Sequence, residues 1–290
     1  MKRIAILGCE NSHADAFLSC IRDRQEFSNI EVVGVYSNEP EQVQRIHDTF
    51  GVPVMEHYAD AVGQIDGLVI TARHGENHYK YAKPYIDSGI PMFIDKPITI
   101  REDEAVLLMK TLKEKEIPIC GGSSLKQAAY VAQLKADAEN AVDGKTVGGY
   151  VRAPYERENI YGGFYFYAQH LVETVCEIFG RYPISVTARE NGSTIHVLFH
   201  YEAFDCVGLF VDTSYVYYAA RMAEVGCQGG VIPIDGDDWF YREFKEFCDL
   251  LDQKKQCISY EDFISPVCIM NAIERALLSG KEETVNKYKI

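Results

Sequence analysis

Two rhythms of apolar and polar positions divide the chain. In the first, short apolar runs at residues 3–8, 31–37, 66–72, 91–95 and 117–122 read as buried strands. Amphipathic stretches separate them. Ala14, Phe17, Leu18 and Ile21 follow the i, i+3, i+4, i+7 spacing of a helix face, as do Ala105, Leu108, Met109 and Leu112. Strands alternating with helices predict βαβ units and a doubly wound parallel sheet covered on both faces. The rhythm changes after residue 122. A helix over 125–140 and a strand over 146–155 come first, then a helix over 162–180. Closely spaced strand-like runs follow at 182–188, 193–201, 205–213 and 214–225, which predicts an open, mainly antiparallel sheet. Helices over 237–254 and 261–280 close the pattern. The expected division is an α/β domain over residues 1–122 and an α+β domain over 123–290.

Ligands of parallel sheets bind beyond the carboxyl ends of the strands. Those ends read GCENSH, YSNEP, TARHGENH and IDKP. In the first, Gly8 stands where a dinucleotide fingerprint places its turn glycine, but Glu10 and His13 replace the second and third glycines. The small Ala14 is an alternative for the third glycine's packing role. Asn11 and Ser12 are good helix caps, which leaves a positive helix end for an anion. Glu10 has three open readings: it repels a pyrophosphate, it fills the anion site, or it turns outward. Ser37 occupies the strand end that usually carries the ribose-reading acid. That exchange removes a repulsion toward the 2′-phosphate of NADP, and Arg73 is the cation placed to reach across.

Composition narrows the classes. The chain has 290 residues, and 43 acidic against 29 basic side chains give a net charge of −14. This argues against nucleic acid and a basic membrane-docking face. No apolar run approaches the ~20 residues of a membrane span. The nine cysteines include no C-x-x-C and sit among apolar residues, as expected of reduced thiols in a cytoplasmic protein. Cys9, at a helix start, is the one position suited to a reactive thiolate. His13, His74 and His78, with Glu10, are placed in strand-end loops and form a candidate Zn or Mn set without a known ligand spacing. The reading adopted has no metal.

Several of these segments together resemble the Gfo/Idh/MocA family of NAD(P)-dependent oxidoreductases. Asp95-Lys96-Pro97 matches that family's Glu-Lys-Pro. Thr71 and the histidines after it match its Thr-Pro and following histidine. GGFYFYAQHLVE, residues 162–173, resembles its Gly-Gly-x(3)-Asp-x-Gly-x-His-x-x-Asp segment. The resemblance implies a Rossmann domain, an open sheet that joins homo-oligomers, NAD or NADP as cofactor, and a sugar-like or polyol substrate oxidised by hydride transfer. It assigns the chemistry to Lys96 and His170, and helical i, i+3 spacing puts Glu173 on the histidine's face to orient or charge it. It places the nucleotide on Gly8, Glu10, Asn11, Ser12, Ser37, Thr71, Arg73, His74, Asp95 and Lys96. Two positions depart from the family. Phe166 stands where it has aspartate and Ala168 where it has glycine. A phenyl ring accepts no proton, so Tyr167 or Tyr165 is the substitute relay, with Tyr167 preferred. Two other readings stay open: a ligand-binding regulatory relative, and a redox-neutral enzyme on the same scaffold.

Overall fold

The structure is a computed structural model that describes every residue other than Asp235, Lys254 and Lys255. β1 (Lys2–Leu7), β2 (Ile30–Tyr36), β3 (Gly67–Ile70), β4 (Met92–Asp95) and β5 (Ile119–Gly122) form a parallel sheet in the order β2-β1-β3-β4-β5. A lone parallel bridge from Val54 to Val35 extends it beyond β2. With that bridge the strand order is the doubly wound one whose crevice opens where the order reverses, at β1 and β3. Crossovers run through α1 (Ser12–Asp23), α2 (Pro40–Phe50), α3 (Glu76–Ala82) and α4 (Glu102–Glu114). Each strand is buried on both faces because its alternate residues enter different cores. Ile4 and Ile6 pack with Phe17 and Phe93, whereas Ala5 and Leu7 pack with Leu108 and Met109.

The second sheet runs β11-β10-β6-β9-β8-β7-β12. Its strands are β6 (Thr146–Tyr155), β7 (Ser185–Asn191), β8 (Thr194–His200), β9 (Asp205–Asp212), β10 (Tyr217–Ala223), β11 (Cys227–Ile232) and β12 (Glu283–Thr284). Pairing is antiparallel except between β6 and β9, which are parallel. The hydropathy pattern shows β6 to β10. It hides β11, a glycine-containing edge strand that alternates exposed and half-buried positions. α5 (Ala129–Glu139), α6 (Tyr165–Phe179) and α8 (Tyr260–Ser279) complete this half. One apolar core continues from the parallel sheet into α6, α8 and the second sheet.

α7 (Trp239–Gln253) lies elsewhere. Phe244, Phe247, Leu250 and Leu251 pack against Ile4, Ile6, Phe17 and Phe93, so a late helix fills one face of the first sheet. The predicted helix end at Lys254 lies outside the described residues.

The turns at the strand ends are built tightly. Gly8 has φ of +90°, and a Cβ there would lie 2.1 Å from the Ala72 backbone nitrogen. The loop after β3 is pinned by His78, which is buried within α3 and bonds the Ala72 carbonyl through Nε2 at 2.7 Å. Burial drives the His78 pKa down to about 4.

Removing the α7 anchor by Phe244→Ala is expected to lower the unfolding free energy by about 3–5 kcal/mol in urea titration, as a filled core position inside the first sheet requires. An effect under about 1 kcal/mol would mean that α7 is loosely attached. His78 sets a pH dependence. Its native pKa lies below the unfolded value, so the stability it contributes is present above pH 6.5 and is lost as pH falls toward 4. Between those limits wild type is expected to lose about 3 kcal/mol more than His78→Gln, measured as unfolding free energy against pH.

Candidate functional site

The two halves meet over the carboxyl ends of β1, β3, β4 and β5. Two glycines prepare this meeting. Gly162 and Gly163 have φ of +107° and +57°, and a Cβ on Gly163 would lie 2.8 Å from the Arg157 carbonyl oxygen. The chain then enters α6, whose first turns aim Phe166, Tyr167 and His170 at the strand ends. These three line a cavity of about 380 Å³ together with Asn11, Ser12, His13, Arg73, Lys96, Tyr217, Trp239 and Phe240. Glu156, Asn159 and Tyr161 line it from the loop before α6.

Lys96 is buried and donates from Nζ to the Phe166 carbonyl at 2.9 Å. The same nitrogen lies 4.3 Å from the centre of the Phe166 ring. Burial lowers its pKa, against the opposing pull of Asp95. His170 faces Lys96's side of the cavity from α6. Its Nδ1 lies 2.6 Å from Ser123 Oγ, and that oxygen already accepts the Leu125 N–H at 3.2 Å. In the tautomer in which the Ser123 hydroxyl donates to Nδ1, the neutral His170 ring carries its proton on Nε2. Burial, with Lys96 second, holds its pKa well below the usual histidine value.

Glu173 does not orient His170. Its Oε2 accepts the Ser123 N–H, and also the Gln169 side-chain amide at 3.0 Å. Its Oε1 lies 3.5 Å from the Lys126 ammonium. The face-sharing of positions 170 and 173 is real, but a full buried cation and a strand-end amide are stronger partners than a neutral ring. Tyr165 leaves the site as well, because its hydroxyl donates to Glu274 at 2.7 Å inside the core. Tyr167 remains at the cavity wall, 6.0 Å from the His170 ring. Burial raises its pKa above the usual phenol value.

The nucleotide-facing positions separate into groups. Gly8 makes the turn and accepts the Thr71 hydroxyl on its carbonyl at 3.0 Å. Asn11 precedes α1 in extended conformation but makes no cap bond. Its side chain donates to Asp95 at 2.9 Å. Ser12 and His13 open the uncapped first turn of α1 onto the cavity. Ala14 takes the packing role of the third glycine and is fully buried among the sheet residues. Glu10 is buried against Ser37 and the Arg73 backbone. The Arg73 guanidinium turns to the Tyr161 hydroxyl at 3.2 Å. His74 lies outside the cavity wall, its Nδ1 3.4 Å from the Glu76 N–H.

The histidine set therefore falls apart. His13 and His78 belong to helices, not loops, and each faces different partners. His13 Nδ1 is 3.2 Å from Asp95 and its Nε2 is 3.4 Å from Glu243. Burial lowers the pKa of His13, raises that of Asp95 to about 6 and raises that of Glu243 strongly. Cys9 is inert, since burial and Glu10 push its thiol up to about 12. Sequence reasoning missed Ser123, Glu156, Trp239, Phe240 and Glu243. Only Glu243 left a trace, as an acid within the apolar stripe formed by Phe240, Phe244 and Phe247.

These residues fit a nicotinamide dinucleotide at the crevice. The first turn of α1 leaves its N–H groups without a side-chain cap beside the cavity, as an anion requires. Lys96 and His170 stand at the cavity's other wall.

Residues 2–121 match the model of the oxidoreductase family with the NAD-binding Rossmann fold. A curated relative, glucose-6-phosphate 3-dehydrogenase of Bacillus subtilis (strain 168), is 27% identical over 139 residues. That match covers 47% of this chain and 37% of the relative, so the chain aligns with little more than a third of that protein's length. Myo-inositol 2-dehydrogenase from Lactobacillus plantarum superposes with a TM-score of 0.84 at 15% identity, covering 98% of this chain and 99% of that one. Scyllo-inositol dehydrogenase from Lactobacillus casei, solved with bound NAD(H) and scyllo-inositol, gives 0.83 at 14% identity, covering 98% and 99%. At these identities the structural likeness establishes the shared fold. Residues 2–121 are thus similar to the Gfo/Idh/MocA family of NAD-binding oxidoreductases, and the whole chain shares the fold of the inositol dehydrogenases.

Proposed function

We propose that the chain is a cytoplasmic dehydrogenase that oxidises a hydroxyl of a small sugar-like or polyol substrate, using a nicotinamide dinucleotide. The observation that carries this reading is the meeting of Lys96 and His170, from different halves, on one cavity beside the first turn of α1. The dinucleotide, when bound, supplies the hydride acceptor. Asn11, Ser12 and His13, at the start of α1, would hold its phosphates. Lys96, whose pKa is lowered by burial, takes the hydroxyl proton in its neutral form. His170 donates from Nε2 to the same oxygen and holds it as charge develops. Phe166, in the place of an aspartate, positions Lys96 through its carbonyl and ring. The aromatic wall of Tyr161, Tyr167, Tyr217 and Trp239 suits the apolar face of a sugar ring. The nine unpaired cysteines support a reducing compartment. Among the described residues, no helix is long and apolar enough to cross a membrane.

The open face of the second sheet supports a second copy of the chain as partner. Tyr150, Val207 and Leu198 lie side by side across β6, β9 and β8, next to the row holding Leu209 and Tyr218. Val207, Met222 and Val231 are exposed there.

Lys96→Arg keeps the charge but has no neutral form at working pH. It is expected to lower kcat/KM at least ~100-fold in a dinucleotide-reduction assay across polyols and sugars. Wild-type kcat/KM is expected to rise with pH as Lys96 loses its proton. Full activity in Lys96→Arg would overturn the assignment. Sedimentation is expected to show an assembly of two or more chains, with Val207→Glu shifting it toward the monomer. A wild-type monomer at assay concentration would remove the partner surface.

A further inference from the structure

Glu10 reaches out of the loop between β1 and α1 and ends between two other strand ends. Its Oε2 accepts the Ser37 hydroxyl at 2.6 Å, just beyond β2. Its Oε1 accepts the Arg73 N–H at 2.9 Å, beyond β3. β1 lies between those strands, so the carboxylate sits over the end of β1 and against the end of β2. In a sheet of this order the adenosine ribose of a dinucleotide lies at the end of the second strand, where an acidic residue reads its hydroxyls. Here Ser37 stands at that position.

We propose that Glu10 selects NAD over NADP by delivering, from the β1–α1 loop, the carboxylate that the β2 end lacks. The proposal rests on the reading that the crevice holds a nicotinamide dinucleotide. Ser37 is the positioning partner. Its proton is committed to Glu10, and its oxygen accepts the Glu39 N–H at 3.0 Å. Each Glu10 oxygen accepts one of these bonds and keeps a further lone pair for a ribose hydroxyl. Glu39 adds a second carboxylate at the same edge, where it accepts the Tyr161 hydroxyl at 2.8 Å. The guanidinium of Arg73 is drawn away to the Tyr161 hydroxyl and lies 5.1 Å from that ring's centre. A 2′-phosphate would therefore meet two carboxylates, one of them buried, where repulsion is weakly screened. This reverses the lean toward NADP that Ser37 and Arg73 suggest when read from the sequence.

The test is calorimetric titration of the purified full chain with NADH and NADPH at one ionic strength, in wild type, Glu10→Gln, and the double variant Glu10→Gly with Ser37→Asp. Wild type is expected to bind NADH about tenfold or more tighter than NADPH. Glu10→Gln is expected to bring the two within about threefold, chiefly through tighter NADPH. The double variant, with the acid moved to the strand end, is expected to recover the preference for NADH. Its outcome decides the matter even if thermal melting shows Glu10→Gln to be unfolded. An unchanged ratio in Glu10→Gln would overturn the proposal. So would an equal gain for both nucleotides, which would make Glu10 a plug in the crevice. Failure of every protein to bind either nucleotide would overturn the dinucleotide reading itself, and the selection with it.

Discussion

The site depends on one buried carboxylate. Glu173 receives the Ser123 N–H at the end of β5, the Gln169 amide one turn earlier on α6, and the Lys126 ammonium. Gln169 in turn accepts the Ile98 N–H at 3.1 Å, just past β4. These bonds fasten α6 to two strand ends at once. They place His170 over Ser123 and the Phe166 carbonyl over Lys96. The carboxylate comes so close to the backbone that a Cβ on Gly122 would lie 2.4 Å from it, and Gly122 has φ of +89°. A buried ion that loses a partner is costly, so these groups hold one arrangement firmly.

The same economy of arrangement governs the floor of the cavity. Asp95 accepts the Lys96 N–H at 2.6 Å and the Asn11 amide at 2.9 Å, with His13 beside it and Glu243 behind. Burial favours the neutral forms of His13 and Glu243, and Asp95 is the carboxylate that most opposes the fall in the Lys96 pKa. The replaced glycines of the loop fit this pattern. His13 and Glu10 do not block the turn, because Gly8 alone makes it. They bring polar groups into it.

How far the sequence spoke depends on how local each signal is. Strands β1 to β5 are readable because a strand buried on both faces writes an uninterrupted apolar run. Lys96 and His170 are readable through their flanking motifs. The partner of Glu173 is not, since helical spacing puts it beside His170 while a residue fifty positions earlier takes its bonds. Glu10 is legible as an anomaly, but its direction is set by Ser37 and Arg73, which the chain brings together only when folded. α7 reads correctly as an amphipathic helix. Its period cannot say which sheet it covers, and the boundary at residue 122 conceals that it returns to the first.

That return has a consequence for synthesis. The strands of the first sheet are complete once Gly122 has been made, but Phe244 and Phe247 come more than a hundred residues later. At ordinary elongation rates the interval is on the order of ten seconds. Throughout it, the cluster of Ile4, Ile6, Phe17 and Phe93 lacks the part of its cover that α7 supplies. The first sheet thus gains its full apolar cover only when the last quarter of the chain has been made.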